Sequence, residues 1–101
     1  MELLPESEKA KLAKWTETEG KNLSEVMATV KFFCPWSNWT WYAAEFDGED
    51  LFFGLVDGFE KELGYFSLSE LESVTSPQWP TLRIERDLHW EPTDLATLLH
   101  K

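Results

Sequence analysis

Between Trp36 and Gly58 the chain reads WSNWTWYAAEFDGEDLFFGLVDG, two apolar runs separated by Asp47-Gly48. An Asp-Gly pair in that position is a strong hairpin signal, because both residues accept the left-handed backbone angles of a tight turn. The rest of the chain has to be arranged around the resulting strand pair. Strict alternation over Trp39 to Phe46 puts Trp39, Trp41, Ala43 and Glu45 on one side and Thr40, Tyr42, Ala44 and Phe46 on the other, so neither face is purely polar. Leu51 to Val56 is also apolar on both faces, the pattern of a central strand covered on both sides. Ten of the fifteen aromatic residues lie between Phe32 and Glu60, with six carboxylates and no Lys or Arg. The most apolar segment is therefore also the most uniformly acidic.

Around this pair the remaining elements follow from local signals. Residues 5–16 begin with Pro5, place Glu6 and Glu8 early and Lys9, Lys11 and Lys14 late, and so predict an N-terminal helix that complements its own dipole. Residues 17–24 read as a polar connection. Val26 to Phe33 predicts a strand with Val26, Ala28, Val30 and Phe32 on one face, ended by Cys34-Pro35. A second Asp-Gly pair, Asp57-Gly58, starts a link over residues 57–62 to a strand at Leu63 to Phe66, which sets Tyr65 opposite Gly54. Ser67-Leu-Ser-Glu70 fits a capping box, with Phe66 and Leu71 as a hydrophobic staple, and predicts a helix near 68–75 that stops before Pro77. Leu82 to Trp90 reads as a last strand. Pro92 to Lys101 predicts a short C-terminal helix capped by Thr93, with Leu95, Leu98 and Leu99 facing inward. Hairpin connections dominate this order. The expected class is α+β: one domain over residues 1–101, an antiparallel sheet of four to five strands with three helices packed on it. Within it, residues 1–19 form the N-terminal helix and link, 20–95 the core, and 96–101 a C-terminal turn.

Composition limits what such a domain can do. A net charge of −10, from nineteen acids against nine bases, opposes direct binding to nucleic acid or to anionic membranes and favours a protein partner with a basic surface. With Cys34 as the single cysteine, an intramolecular disulfide and a multi-cysteine zinc site are both excluded. No apolar run is long enough to span a bilayer, and MELLPESEK lacks the marks of a secretory leader, so a cytoplasmic protein is expected.

Two sets of residues are candidates for function. Glu85, Asp87, His89 and Glu91 alternate and would project from one face of the last strand. Glu85, Asp87 and His89 could pair a carboxylate with an imidazole for proton transfer, and Asp87, His89 and Glu91 could hold a divalent ion. The solvent-facing side of an edge strand explains the same row better, because metal sites usually draw ligands from several elements and no second cluster of histidines is present. The second set comprises binding candidates at the rim of the aromatic segment: Trp36 and Trp79 in Pro-flanked loops, and Asp47, Glu49 and Asp50 at the hairpin tip. The acidic tip lacks the twelve-residue calcium-loop pattern. Walker and dinucleotide-binding glycine motifs are both missing, and no cofactor is implied.

At SNWTWYAAEFDGEDLFFGLVDGFEKELGYFSLSELESV and again at IERDLHWEP, the chain resembles domain-of-unknown-function family 2958 over roughly residues 20–95. The resemblance implies a small bacterial single-domain protein, often encoded among accessory genes of plasmids and integrated elements, and it assigns no catalytic residues. The leading expectation is a non-enzymatic, acidic protein-interaction module, with an accessory or defence-modulating role on a mobile element implied by the resemblance alone. The alternatives are a metal-binding or hydrolytic enzyme built on Glu85, Asp87 and His89, and a DNA mimic, which needs an ordered row of carboxylates on one surface.

Overall fold

The computed structural model describes all 101 residues. Its elements run α1 (Glu6–Lys9), β1 (Ala13–Lys14), a 3₁₀ turn (Leu23–Glu25), β2 (Met27–Ala28), β3 (Val30–Phe33), β4 (Thr40–Phe46), β5 (Leu51–Asp57), β6 (Lys61–Ser67), α2 (Leu68–Ser73), β7 (Glu85–Arg86), β8 (Thr93–Asp94) and α3 (Leu95–Leu99). The main sheet has the order β6-β5-β4-β3-β7, all antiparallel, with β1 added parallel to the end of β4; β2 and β8 form a separate two-stranded ribbon. The class is α+β, as expected, with six strands in the sheet rather than four or five.

Both faces of the sheet are covered. On one, Val30, Phe32, Ala43, Phe46, Phe52 and Phe66 meet Leu3, Leu4, Leu12, Leu71 and Ile84. On the other, Ala44 and Leu55 meet Val26 at the end of the 3₁₀ turn, Ala28 of the ribbon, and Leu95 and Leu98 of α3. Phe32 and Phe52 are fully buried with ring centroids 5.4 Å apart, and each such side chain contributes about 1.5–3 kcal/mol by leaving water. Leu3, Leu4 and Leu12 belong to the same core as the central strands.

Alternation fails at one place in β4, with large consequences. A bulge between Ala43 and Glu45 shifts the register against β5, so Glu45 faces Phe53 and Phe46 faces Phe52. Ala44 and Glu45 then lie on the same side, and Phe46 joins Ala43 in the first core instead of Tyr42 in the second. The bulge also fixes the glycine in β5. A Cβ at Gly54 would lie 1.8 Å from the Tyr42 carbonyl oxygen, so no larger residue fits there.

Other differences share one cause, the edge of β4. β3 pairs with β4 only up to Ala43. At Thr29, whose N–H donates to the Ala43 carbonyl at 3.0 Å, the chain leaves that edge, and β2 pairs with β8 instead. The expected single strand over Val26 to Phe33 is therefore split: Val26 and Ala28 enter one core, Val30 and Phe32 the other. The vacated edge of β4 takes β1, with Ala13 beside Glu45 and Lys14 beside Phe46. For this reason the helix expected over residues 5–16 stops at Lys9.

The β5–β6 hairpin is tighter than expected. Lys61 already faces Asp57, leaving Gly58, Phe59 and Glu60 as the turn, and the register sets Tyr65 opposite Phe53 and Gly64 opposite Gly54. At α2, Ser67 accepts the Glu70 N–H at 3.2 Å as its cap requires. The N–H groups of Leu68 and Ser69 go to the Asp50 carbonyl and carboxylate, so Asp50 rather than Glu70 completes the cap. α3 is capped by Asp94, which accepts the Thr97 N–H at 2.9 Å, while Thr93 is taken by β8.

Candidate functional site

The hairpin tip uses its acids for its own construction. Asp47 Oδ1 accepts the N–H groups of Glu49, Asp50 and Leu51 at 2.8, 2.8 and 3.0 Å, with Gly48 at φ +90°. These backbone donors hold the Asp47 carboxyl below its ordinary range. Asp50 accepts from the Ser67 hydroxyl at 2.5 Å and the Ser69 N–H at 2.8 Å, which depress its pKa in the same order. Glu49 is exposed beside them. The tip is thus bolted to the start of α2, and of its three acids only Glu49 projects freely from the structure it helps to form.

The acidic row of the last strand is not assembled as alternation implies. β7 is two residues long, held by Phe33 and Phe32, and the chain turns immediately after it. Asp87 Oδ1 accepts the His89 N–H at 2.9 Å to stabilise that turn, and Oδ2 lies 3.5 Å from Lys31 Nζ. The same ammonium sits 5.2 Å from the Trp90 ring centroid, so Asp87 belongs to a packing contact. Glu85 is in the ladder, while His89 and Glu91 are exposed. Nowhere do three or more His, Cys, Asp or Glu side chains come together as a metal site. The physical reason is the turn at Asp87, which removes the strand that would have aligned the row.

The loop tryptophans differ from one another. Trp36 is half-buried against the first core. Trp79 is 59% exposed, in a loop organised by Ser76 Oγ, which accepts the N–H groups of Gln78 and Trp79.

One buried carboxylate escaped the sequence reading. Glu45 is only 4% exposed, and its two oxygens accept the Thr16 N–H at 2.8 Å, the Thr18 N–H at 2.9 Å and the Thr18 hydroxyl. Thr16 takes φ +65°, an unusual angle for a β-branched residue, to present its N–H. A cleft of about 330 Å³ lies beside this clamp, walled by Trp15, Phe53 and Tyr65. With both oxygens accepting from Thr16 and Thr18, Glu45 serves as a clamp on this segment.

The largest cleft, about 510 Å³, is at the outer edge of β6. Its lining comprises Trp39, Val56, Phe59, Glu60, Glu62, Leu63, Gly64 and Tyr65, with two carboxylates and no Lys or Arg. Val56 faces Glu62 and Gly54 faces Gly64 across the ladder, so Val56, Glu62 and the bare backbone at Gly64 share one face of the sheet. Phe59 is 94% exposed and stands edge-on to Trp39, ring centroids 5.3 Å apart. Trp39 in turn lies on Gly58, where a Cβ would come within 2.4 Å of the indole. A signal for this site was present in the sequence: Phe59 is a large apolar residue in a tight turn, where small and polar residues are the rule.

These features define a small, mostly antiparallel α+β domain whose largest cleft involves the terminal strand β6 and the β5–β6 turn. The chain belongs to the family described as "Protein of unknown function (DUF2958)", whose model matches residues 3–99. The matched span includes Leu3, Leu4 and Leu12, the N-terminal residues that close the first core. No curated protein and no solved structure matches the chain.

Proposed function

We propose that this protein is a non-enzymatic interaction module that binds a protein partner carrying a basic surface. The observation that carries this reading is the β6 cleft, an exposed aromatic and aliphatic hollow rimmed by Glu60 and Glu62 on a chain of net charge −10. Phe59, 94% exposed, has only the edge-on contact with Trp39 as an aromatic partner, and large aromatics in a desolvatable hollow are the usual anchors of protein interfaces. The resemblance set out above adds the proposal that it acts in the bacterial cytoplasm as an accessory or defence-modulating protein of a mobile element. An enzyme built on Glu85, Asp87 and His89 has less support, since Asp87 is engaged by its own turn and by Lys31. A DNA mimic needs free carboxylates in rows, and Glu45, Asp47, Asp50 and Asp94 are instead spent on internal hydrogen bonds.

In-cell crosslinking of the full chain, followed by identification of crosslinked peptides, tests the reading. The expected result is a reproducible partner whose contact surface is basic and whose binding weakens with salt. Repeated absence of any crosslinked partner, together with substrate turnover by the purified protein, would overturn it.

A further inference from the structure

Resting on the interaction reading, we propose a specific mode: the partner contributes an extended segment that adds to the outer edge of β6 as one more strand, with an apolar and a basic side chain two residues apart on one of its faces. The two ends of the main sheet are unlike. At one end β7 is two residues long and stops in the Asp87 turn, so little backbone is offered there. At the other, β6 runs seven residues, and no strand pairs with its outer side. An open edge of that length presents unpaired backbone groups that natural proteins usually protect, often with an inward or outward lysine. Lys61 is the one lysine in β6, and it is turned away: its ammonium donates to the carbonyls of Leu98 and Lys101 at 3.0 and 2.8 Å, at the end of α3. The edge is left with Glu60 and Glu62 as its charges.

The side-chain chemistry of the guest follows from the register of the host. Glu62 and Gly64 share one face of β6, two residues apart. Gly64 has no heavy atom within 4 Å of where its Cβ would be, and it faces Gly54 across the ladder, so a hollow is left between Trp39, Phe59 and Val56. A guest strand would set an apolar side chain over Gly64 and, two residues along, a Lys or Arg against Glu62. Main-chain bonds supply affinity in this mode and the alternate pockets supply selectivity. Charge complementarity selects a basic segment over a second copy of this chain, since two molecules of net charge −10 repel.

The test uses a displayed library of random dodecapeptides selected on the full chain, with the winners measured as labelled synthetic peptides. Enriched peptides are expected to carry a Lys or Arg two residues away from a large apolar residue. Their affinity should fall at least about tenfold on Gly64→Val, Phe59→Ala or Glu62→Lys. Glu72→Lys, which makes the same change in net charge from the exposed side of α2, should leave it within about twofold. Thermal melts confirm that the variants are folded. Peptides that bind Gly64→Val and Phe59→Ala as well as the parent would overturn strand addition at β6 while leaving the interaction reading intact. Recovery of a crosslinked folded partner, with no peptide enriched, would overturn the extended-segment mode in the same selective way. Concentration-dependent dimers abolished by Gly64→Val would assign the edge to a second copy and overturn the basic guest. Failure of both selection and crosslinking would overturn both proposals.

Discussion

Glu45 and Asp50 are acids in the least polar stretch of the chain, and the protein itself holds both. Glu45 gathers three donors from Thr16 and Thr18 beside a bulge, and Asp50 ties the hairpin tip to α2. Replacing Glu45 by Ala leaves two backbone N–H groups without their acceptor and should cost about 2–3 kcal/mol, read by urea denaturation. Glu45→Gln keeps the shape and one acceptor oxygen, so its loss should be smaller. These roles were not legible in the sequence, because alternation assigned Glu45 to the face of Trp41. The bulge that moves it depends on what β5 and β1 offer across the ladder, which no local pattern records. Asp47 was legible as a turn residue, since its reach to the N–H two residues on is a local property.

The elements recovered best from sequence are those whose determinants are contiguous. The β4–β5 hairpin follows from Asp47-Gly48, and α2 begins at its Ser67 cap with Phe66 and Leu71 in the same core. Elements defined by a partner edge were misread: β1 in place of a longer helix, the break at Thr29, and the two-residue β7. The candidate site shows the same division, since Phe59 and Gly64 are ordinary residues until β6 is known to be terminal in the sheet. The paired glycines give a contrast that tests the register. Gly54→Ala drives a Cβ into the Tyr42 carbonyl and should destabilise by about 3 kcal/mol or more. Gly64→Val, whose added Cβ meets nothing within 4 Å, should be neutral or stabilising by up to about 1 kcal/mol. If Tyr65 rather than Gly64 faced Gly54, this opposition would vanish; thermal melts of the two variants decide it.

At the scale of the whole molecule, charge and edge asymmetry act together. Asp47, Asp50 and Asp94 all have folded-state pKa values below the ordinary aspartate range because donors stabilise their ionised forms. Their contribution to stability is therefore fully present above about pH 4 and is lost as pH falls through the depressed values. Denaturation midpoints should accordingly drop on acidification below about pH 4 and change little between pH 5 and pH 8 on their account. Tyr42 works on the alkaline side. Burial first, and then Asp57, raise its phenol pKa, so its stabilising effect is lost as pH rises above the ordinary tyrosine value. Glu60 and Glu62, which line the β6 cleft, are the acids the interaction proposal sets against a basic partner. The most direct measurement is residue-resolved amide hydrogen exchange of the full chain with and without a selected peptide. Strand addition predicts that outward-facing amides within residues 61–67 slow by about a hundredfold or more on binding, while Glu85–Arg86 and the loop around Trp79 are unchanged. Protection confined to Trp79 or to the acidic tip, with β6 exchanging as in the free protein, would contradict it.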